Sequence, residues 1–73
     1  MSQHRFVVCV ENAEYPASLE LRKIYESIPD AEGARLGLIR VIDESGEDYL
    51  YPEAHFIPID LPQKLEEAFL RLT

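Results

Sequence analysis

The sequence predicts a mainly β domain that ends in a short α-helix, and three stretches carry that expectation. Leu38 to Pro52 pairs two strand-forming runs around a turn, Phe6 to Val10 is an unbroken apolar run of strand length, and the stretch from Leu61 onward repeats apolar residues at helical spacing. At 73 residues the chain is one domain near the lower size limit for a single hydrophobic core, burying only about 60% of its unfolded surface. Every element therefore has to contribute to the core. Hydrophobic residues at 47% and charged residues at 29% are the proportions of a folded domain rather than a disordered one.

Fourteen acidic residues against seven Lys and Arg give a formal charge of −7, which opposes phosphate backbones and anionic membrane surfaces, because both call for clustered cations. Neither a nucleic acid nor a membrane is the expected partner. Cys9 is the only cysteine, so no internal disulfide or cysteine-rich zinc site is possible, and these residues lead one to expect neither a signal peptide nor a membrane-spanning segment. The expected compartment is the cytoplasm, and nothing calls for a cofactor or a resident metal.

In chain order, Phe6-Val7-Val8-Cys9-Val10 is expected to be a central strand, with Cys9 a small buried hydrophobe rather than a nucleophile, since no base lies near it in sequence. Asn12 to Ser18 contains Tyr15-Pro16, where the missing donor and the bias toward extended geometry mark a loop. Leu19 to Ile28 supports two readings. Leu21, Ile24, Tyr25 and Ile28 fit a helical stripe capped by Ser18, while period two fits Leu19 and Leu21 and then Ile24, Glu26 and Ile28, with a bend or bulge at Arg22-Lys23. Pro29 ends that segment, Asp30 reads as the N-cap of a short helical turn through Leu36, Gly33 weakens the turn, and Gly37 closes it.

In the hairpin, Asp43 and Glu47 flank a three-residue loop in which Glu44 and Ser45 take type I turn geometry and Gly46 the left-handed bulge position. This register sets Ile42 opposite Asp48, Val41 opposite Tyr49, Arg40 opposite Leu50 and Ile39 opposite Tyr51. Ile39, Val41, Tyr49 and Tyr51 then form an uncharged face directed at the core. Leu38, Arg40, Ile42, Asp48 and Leu50 form the opposite face, with Arg40 diagonal to Asp48. Beyond the hairpin, Pro52 to His55 is a tight helical turn, and Phe56-Ile57-Pro58-Ile59 is a brief strand whose prolines suit an edge. Asp60 and Pro62 open the terminal helix, whose stripe of Leu61, Leu65, Ala68, Phe69 and Leu72 is expected to dock on the sheet.

This order of elements resembles the Src-homology-3-like small barrels, in which a strand ends in an aliphatic residue and proline before a short helical turn and an aromatic. Tyr51-Pro52-Glu53-Ala54-His55-Phe56 is similar but one residue longer, with Glu53 and Ala54 where serine and asparagine are usual. The stretch from Ala17 through Leu61 is also similar to small uncharacterised bacterial proteins that share the Arg40 to Pro52 segment. The resemblance implies a barrel over residues 4–60 with residues 61–73 as a helix packed on it, and it favours the strand reading of Leu19 to Ile28; the helical reading gives an α+β domain instead.

Three constellations bear on chemistry. Asp43, Glu44, Glu47 and Asp48 on the turn are hard oxygen donors, but their order lacks the alternating ligands, central glycine and distal glutamate of a calcium loop, and they read as a solvated tip. Tyr15, Tyr25, Tyr49, Tyr51 and Phe56 invite comparison with peptide grooves, yet the chain has no tryptophan, and most of these rings are expected in or beside the core. His55 beside Glu53 reads as a surface histidine, and no nucleophile has an evident partner, so no enzyme is expected. The leading functional expectation is a small acidic module that binds a protein through Leu38, Ile42, Asp48 and Leu50 on the outer hairpin face. The alternatives are regulatory divalent-cation binding at the acidic turn and a phosphate-mimicking inhibitor, the latter on net charge alone.

Overall fold

The computed structural model describes residues 6–71, and among them five strands form one antiparallel sheet. The strands are β1 (Phe6–Cys9), β2 (Ile24–Ile28), β3 (Leu38–Ile42), β4 (Asp48–Pro52) and β5 (Phe56–Ile59), in spatial order β4-β3-β2-β1-β5. Helix α1 (Ala31–Arg35) joins β2 to β3, a 3-10 turn (Glu53–His55) joins β4 to β5, and α2 (Gln63–Arg71) follows. The fold is therefore mainly β with a C-terminal helix, as expected. The run beginning at Phe6 is the internal strand β1, paired with β2 on one side and β5 on the other.

The expected strand over Leu19 to Ile28 is cut to its second half, and the helical alternative does not form. Cys9 accepts a bond from Arg22 N–H at 2.7 Å and donates to Lys23 O at 3.0 Å, so two residues oppose one. Arg22 takes a φ of 63° to make this bulge, which falls at the phase break in the sequence. Before it, Leu19 to Arg22 is a turn rather than a strand, and only Leu19 points inward. Strand β2 then bridges the sheet, bonding β1 through Ile24 to Glu26 and β3 through Ser27 and Ile28.

The expected barrel is not closed. Closure would need β4 and β5 to bond each other, and β5 has no N–H to offer on its free side. The bond from Val10 N–H to His55 O, 2.8 Å, sets an alternation in which Ile57 and Ile59 bond β1 while Phe56 and Pro58 point away. Phe56 N–H is already given to Glu53 O, and Pro58 has none.

The inner face of the sheet holds the core: Val7, Cys9, Tyr25, Val41, Tyr51 and Phe56, closed by Leu19 from the loop and flanked by half-buried Tyr15 and Ile39. The hairpin has the predicted register, with Gly46 at φ 84° in the bulge position. Tyr49, expected in the core, is instead 51% exposed, because it sits at the turn end of an edge strand with no neighbour beyond it.

Both helices lie on the outer face. Asp30 caps α1 by accepting Gly33 N–H at 2.8 Å and also accepts Arg40 Nε at 2.8 Å, which ties the short helix to β3. Gly33 is buried against β4: a Cβ there would stand 2.9 Å from Leu50 Cδ2, so the glycine that weakens the helix also permits its close approach. Helix α2 touches the sheet through Phe69, whose ring lies 5.7 Å from that of Phe6, while Leu65 is 45% exposed and Ala68 faces solvent. Of the expected apolar stripe, Phe69 packs on the sheet and Leu61 is half-buried, while Leu72 lies outside the described residues.

Two stability measurements check this packing. Arg22→Gly relieves a left-handed conformation costing about 1 to 2 kcal/mol in an L-residue, less the entropy a glycine adds to the unfolded chain, so the denaturation midpoint is expected to rise by about 0.5 to 1 kcal/mol equivalent. A lower midpoint would contradict the bulge. Leu19→Ala is expected to cost about 2 to 5 kcal/mol, whereas Leu65→Ala should stay within about 0.5 kcal/mol; equal losses would show that α2 is part of the core.

Candidate functional site

The hairpin gathers the residues that the sequence singled out, and the structure divides them into an inward, structural set and an outward, available set. Asp43 belongs to the first. Its side chain is only 6% exposed; Oδ1 accepts Ser45 N–H and Oγ at 2.9 and 2.6 Å, and Oδ2 accepts the Tyr51 hydroxyl at 2.5 Å. Burial pushes this carboxyl up, but the bonds from Ser45 and Tyr51 outweigh it and hold Asp43 below the usual carboxylate range. Burial and the adjacent carboxylate together push the Tyr51 hydroxyl up to about 12.

Glu44 is the second anchor, an exposed residue whose carboxylate turns toward Tyr25. It accepts Lys23 Nζ at 2.6 Å and the Tyr25 hydroxyl at 2.5 Å, and both partners, Lys23 foremost, lower its carboxyl. The Tyr25 oxygen in turn accepts Glu20 N–H at 2.7 Å, and burial, with Glu44 beside it, raises that hydroxyl. Glu44 N–H donates to Ser18 O at 3.0 Å, fastening the turn to the loop before β2. The tip from Glu44 to Asp48 is solvent-exposed as expected, with only Asp43 at its base buried, yet it is more than a solvated loop. Two of its four acids hold down two core tyrosines, because a buried hydroxyl needs a partner.

Glu47 and Asp48 remain outside. Asp48 accepts Arg40 Nη1 at 3.0 Å across the outer face, the predicted diagonal, while the other side of the guanidinium holds Asp30. The four residues of the expected binding face do not make one flat patch. Leu38 borders a cleft with Arg40, Ala31 and Ala34, and Leu50 packs toward Gly33, so α1 covers this end. Ile42 borders a second cleft with Phe6, Ile24 and Phe69 beside α2. Toward the hairpin tip β4 stays open on both faces, with Leu50 38% exposed on the outer one and Tyr49 51% exposed on the inner one. Coverage by α1 was not foreseen; the signal lay in Gly33 and Asp30, a glycine and a cap whose partners are distant in sequence.

The remaining candidates are internal. Cys9 is buried, its thiol donates to Glu11 O at 3.4 Å, and burial raises it, so it is not poised as a nucleophile. His55 is half-buried with its ring 5.9 Å from Tyr15, whose own ring meets Tyr51 edge-on at 4.9 Å. Among the described residues, no group of three or more His, Cys, Asp or Glu side chains is arranged to hold a metal, and no helix is long and apolar enough to cross a membrane. Comparison with protein-family models, curated proteins and solved structures finds no match for the chain.

The Asp43–Tyr51 bond is checked by its pH dependence. The Asp43 carboxyl is held below its unfolded value, so its contribution is full above that value and fades as pH falls through the folded one. Tyr51→Phe should therefore cost about 1.5 to 3 kcal/mol at neutral pH, the range for a hydrogen bond to a charged group, and distinctly less in acid. An equal cost at both pH values, read from denaturant unfolding, would contradict the assignment.

Proposed function

We propose that this chain is a small protein-interaction module that engages its partner through the open part of the hairpin, with Leu50, Tyr49 and Ile42 as apolar contacts and Asp48 and Glu47 at the rim. The observation that carries this reading is that β4, an edge strand, leaves a large apolar side chain open on each face, Leu50 on the outer one and Tyr49 on the inner one, in a domain that keeps its other large β-strand rings buried. The order of elements also supports an Src-homology-3-like architecture, an open relative of the barrel in which the hairpin and the turn before β5 occupy corresponding places. Proline-rich peptide binding does not follow, since the tryptophan of that groove is absent.

Divalent-cation binding at the turn is the weaker reading: Asp43 and Glu44 already accept tyrosine, serine and lysine donors, and a metal would have to displace them. A phosphate-mimicking stripe is likewise disfavoured, because two of the hairpin acids are turned to the core and another is paired with Arg40.

Affinity capture from the cells of origin tests the proposal. Tyr49→Ala and Leu50→Gln together are expected to lose the captured partner while retaining the native melting profile, since truncating exposed anchors removes contact area without entering the core. Replacing Glu47 with Gln should chiefly slow association and weaken its salt dependence. Undiminished capture by the folded double variant would overturn the reading.

A further inference from the structure

The two edges of the sheet are not equivalent, and the difference identifies a docking mode. On β5 the free side carries no usable donor, as Phe56 N–H is spent on Glu53 O and Pro58 has no N–H. That is how sheets block the addition of a further strand. On β4 no such block exists. The bond from Asp43 N–H to Glu47 O at 3.0 Å sets the alternation along the hairpin, so Tyr49 and Tyr51 exchange bonds with Val41 and Ile39. Asp48 and Leu50 therefore direct both N–H and C=O away from the sheet, and no other described residue takes up those backbone groups. Only Pro52, at the far end, limits the edge.

We infer that β4 accepts an extended, basic segment of a partner protein as a sixth strand, bonded to the outward backbone groups of Asp48 and Leu50. This rests on the interaction-module reading above and specifies its chemistry. Backbone pairing would supply affinity and the side chains beside the edge would supply selectivity. Those side chains are Leu50 on the outer face and Tyr49 on the inner one, both exposed, with Glu47 at one end, Asp48 beside it shared with Arg40, and Glu53 at the other end. An incoming strand with a lysine or arginine toward each end meets opposite charge there, from Glu47 and Glu53, and an apolar side chain on each face between them. A second copy of this chain is the poorer occupant. It would bring Glu47, Asp48 and Glu53 against the same acids, between molecules each carrying a formal charge of −7.

Amide hydrogen exchange read by NMR tests the inference, using as probe a short, end-capped synthetic peptide of alternating lysine and valine. At saturation, exchange at Asp48 and Leu50 is expected to slow by about tenfold or more, with Phe56 and Ile57 unchanged and the effect weakened by salt. Leu50→Ala, which keeps the outward N–H, should retain that protection at Asp48. Leu50→Pro, which removes the N–H from a position where an edge strand tolerates proline, should abolish binding. Should the proline variant fail to fold, synthetic protein N-methylated at Leu50 makes the same deletion of one donor.

Several outcomes overturn the inference. Shifted Tyr49 and Leu50 side-chain signals with unchanged amide exchange would replace strand addition by side-chain docking and leave the interaction-module reading intact. Equal protection by a glutamate–valine peptide would remove the basic partner, and protection that grows with protein concentration alone would identify a second copy. No response at the hairpin to millimolar probe would also reject the inference, while the capture experiment judges the broader reading separately.

Discussion

Two neighbouring carboxylates hold this fold together from outside its core. Asp43 and Glu44 sit in the turn between β3 and β4, yet they receive the hydroxyls of Tyr51 on β4 and Tyr25 on β2, rings that pack on Phe56 with centroids 6.1 and 6.5 Å away. Most of the leucines and isoleucines stay half-buried or exposed, and the fully buried aliphatics among the described residues are Leu19, Val7 and Val41. Tyrosine supplies the missing apolar area at the condition that its oxygen finds a partner. The hairpin turn meets that condition twice. Its backbone meets a third demand, since Glu44 N–H reaches Ser18 O and pins the loop that delivers Leu19 to the core.

Much of this was legible because the information is local. The register of β3 and β4 follows from a loop whose glycine stands where a left-handed residue is needed, and the edge position of β5 follows from its proline. The short helix was legible from Asp30 and Gly37 for the same reason. What escaped depends on partners distant in sequence. Leu19 to Ile28 looked ambiguous because Arg22, an ordinary residue by propensity, occupies a bulge position that usually announces itself with glycine. The structural bonds of the charged turn escaped because nothing in its own sequence says that Tyr25, nineteen positions earlier, will lend it a proton donor.

The outer face shows how the same limits bear on the candidate site. Pattern alone places Leu38, Ile42 and Leu50 on a common surface, and backbone pairing keeps them there. Helix α1 nevertheless comes down over part of it, because Asp30 pairs with Arg40 and Gly33 leaves room for Leu50. The Arg40 guanidinium is shared between Asp30 and Asp48, so one side chain joins helix, strand and hairpin edge. With those side chains 18 to 48% exposed, the pairs add little stability in water, and their effect is chiefly to orient.

The division of the acids follows from these constraints and bears directly on what the hairpin offers to solvent. Asp43 and Glu44 are engaged because the core tyrosines need acceptors, and Asp43, itself buried, would be costly to keep without its donors. They are consequently poor ligands for anything outside. Glu47, Asp48 and Glu53 have no such duty to the core, and they flank a strand whose outward backbone groups are unpaired among the described residues. Charge on an edge ordinarily keeps strands of like sequence apart. On the proposal that β4 takes a basic strand, the same charge that keeps like edges apart also selects a strand of opposite sign.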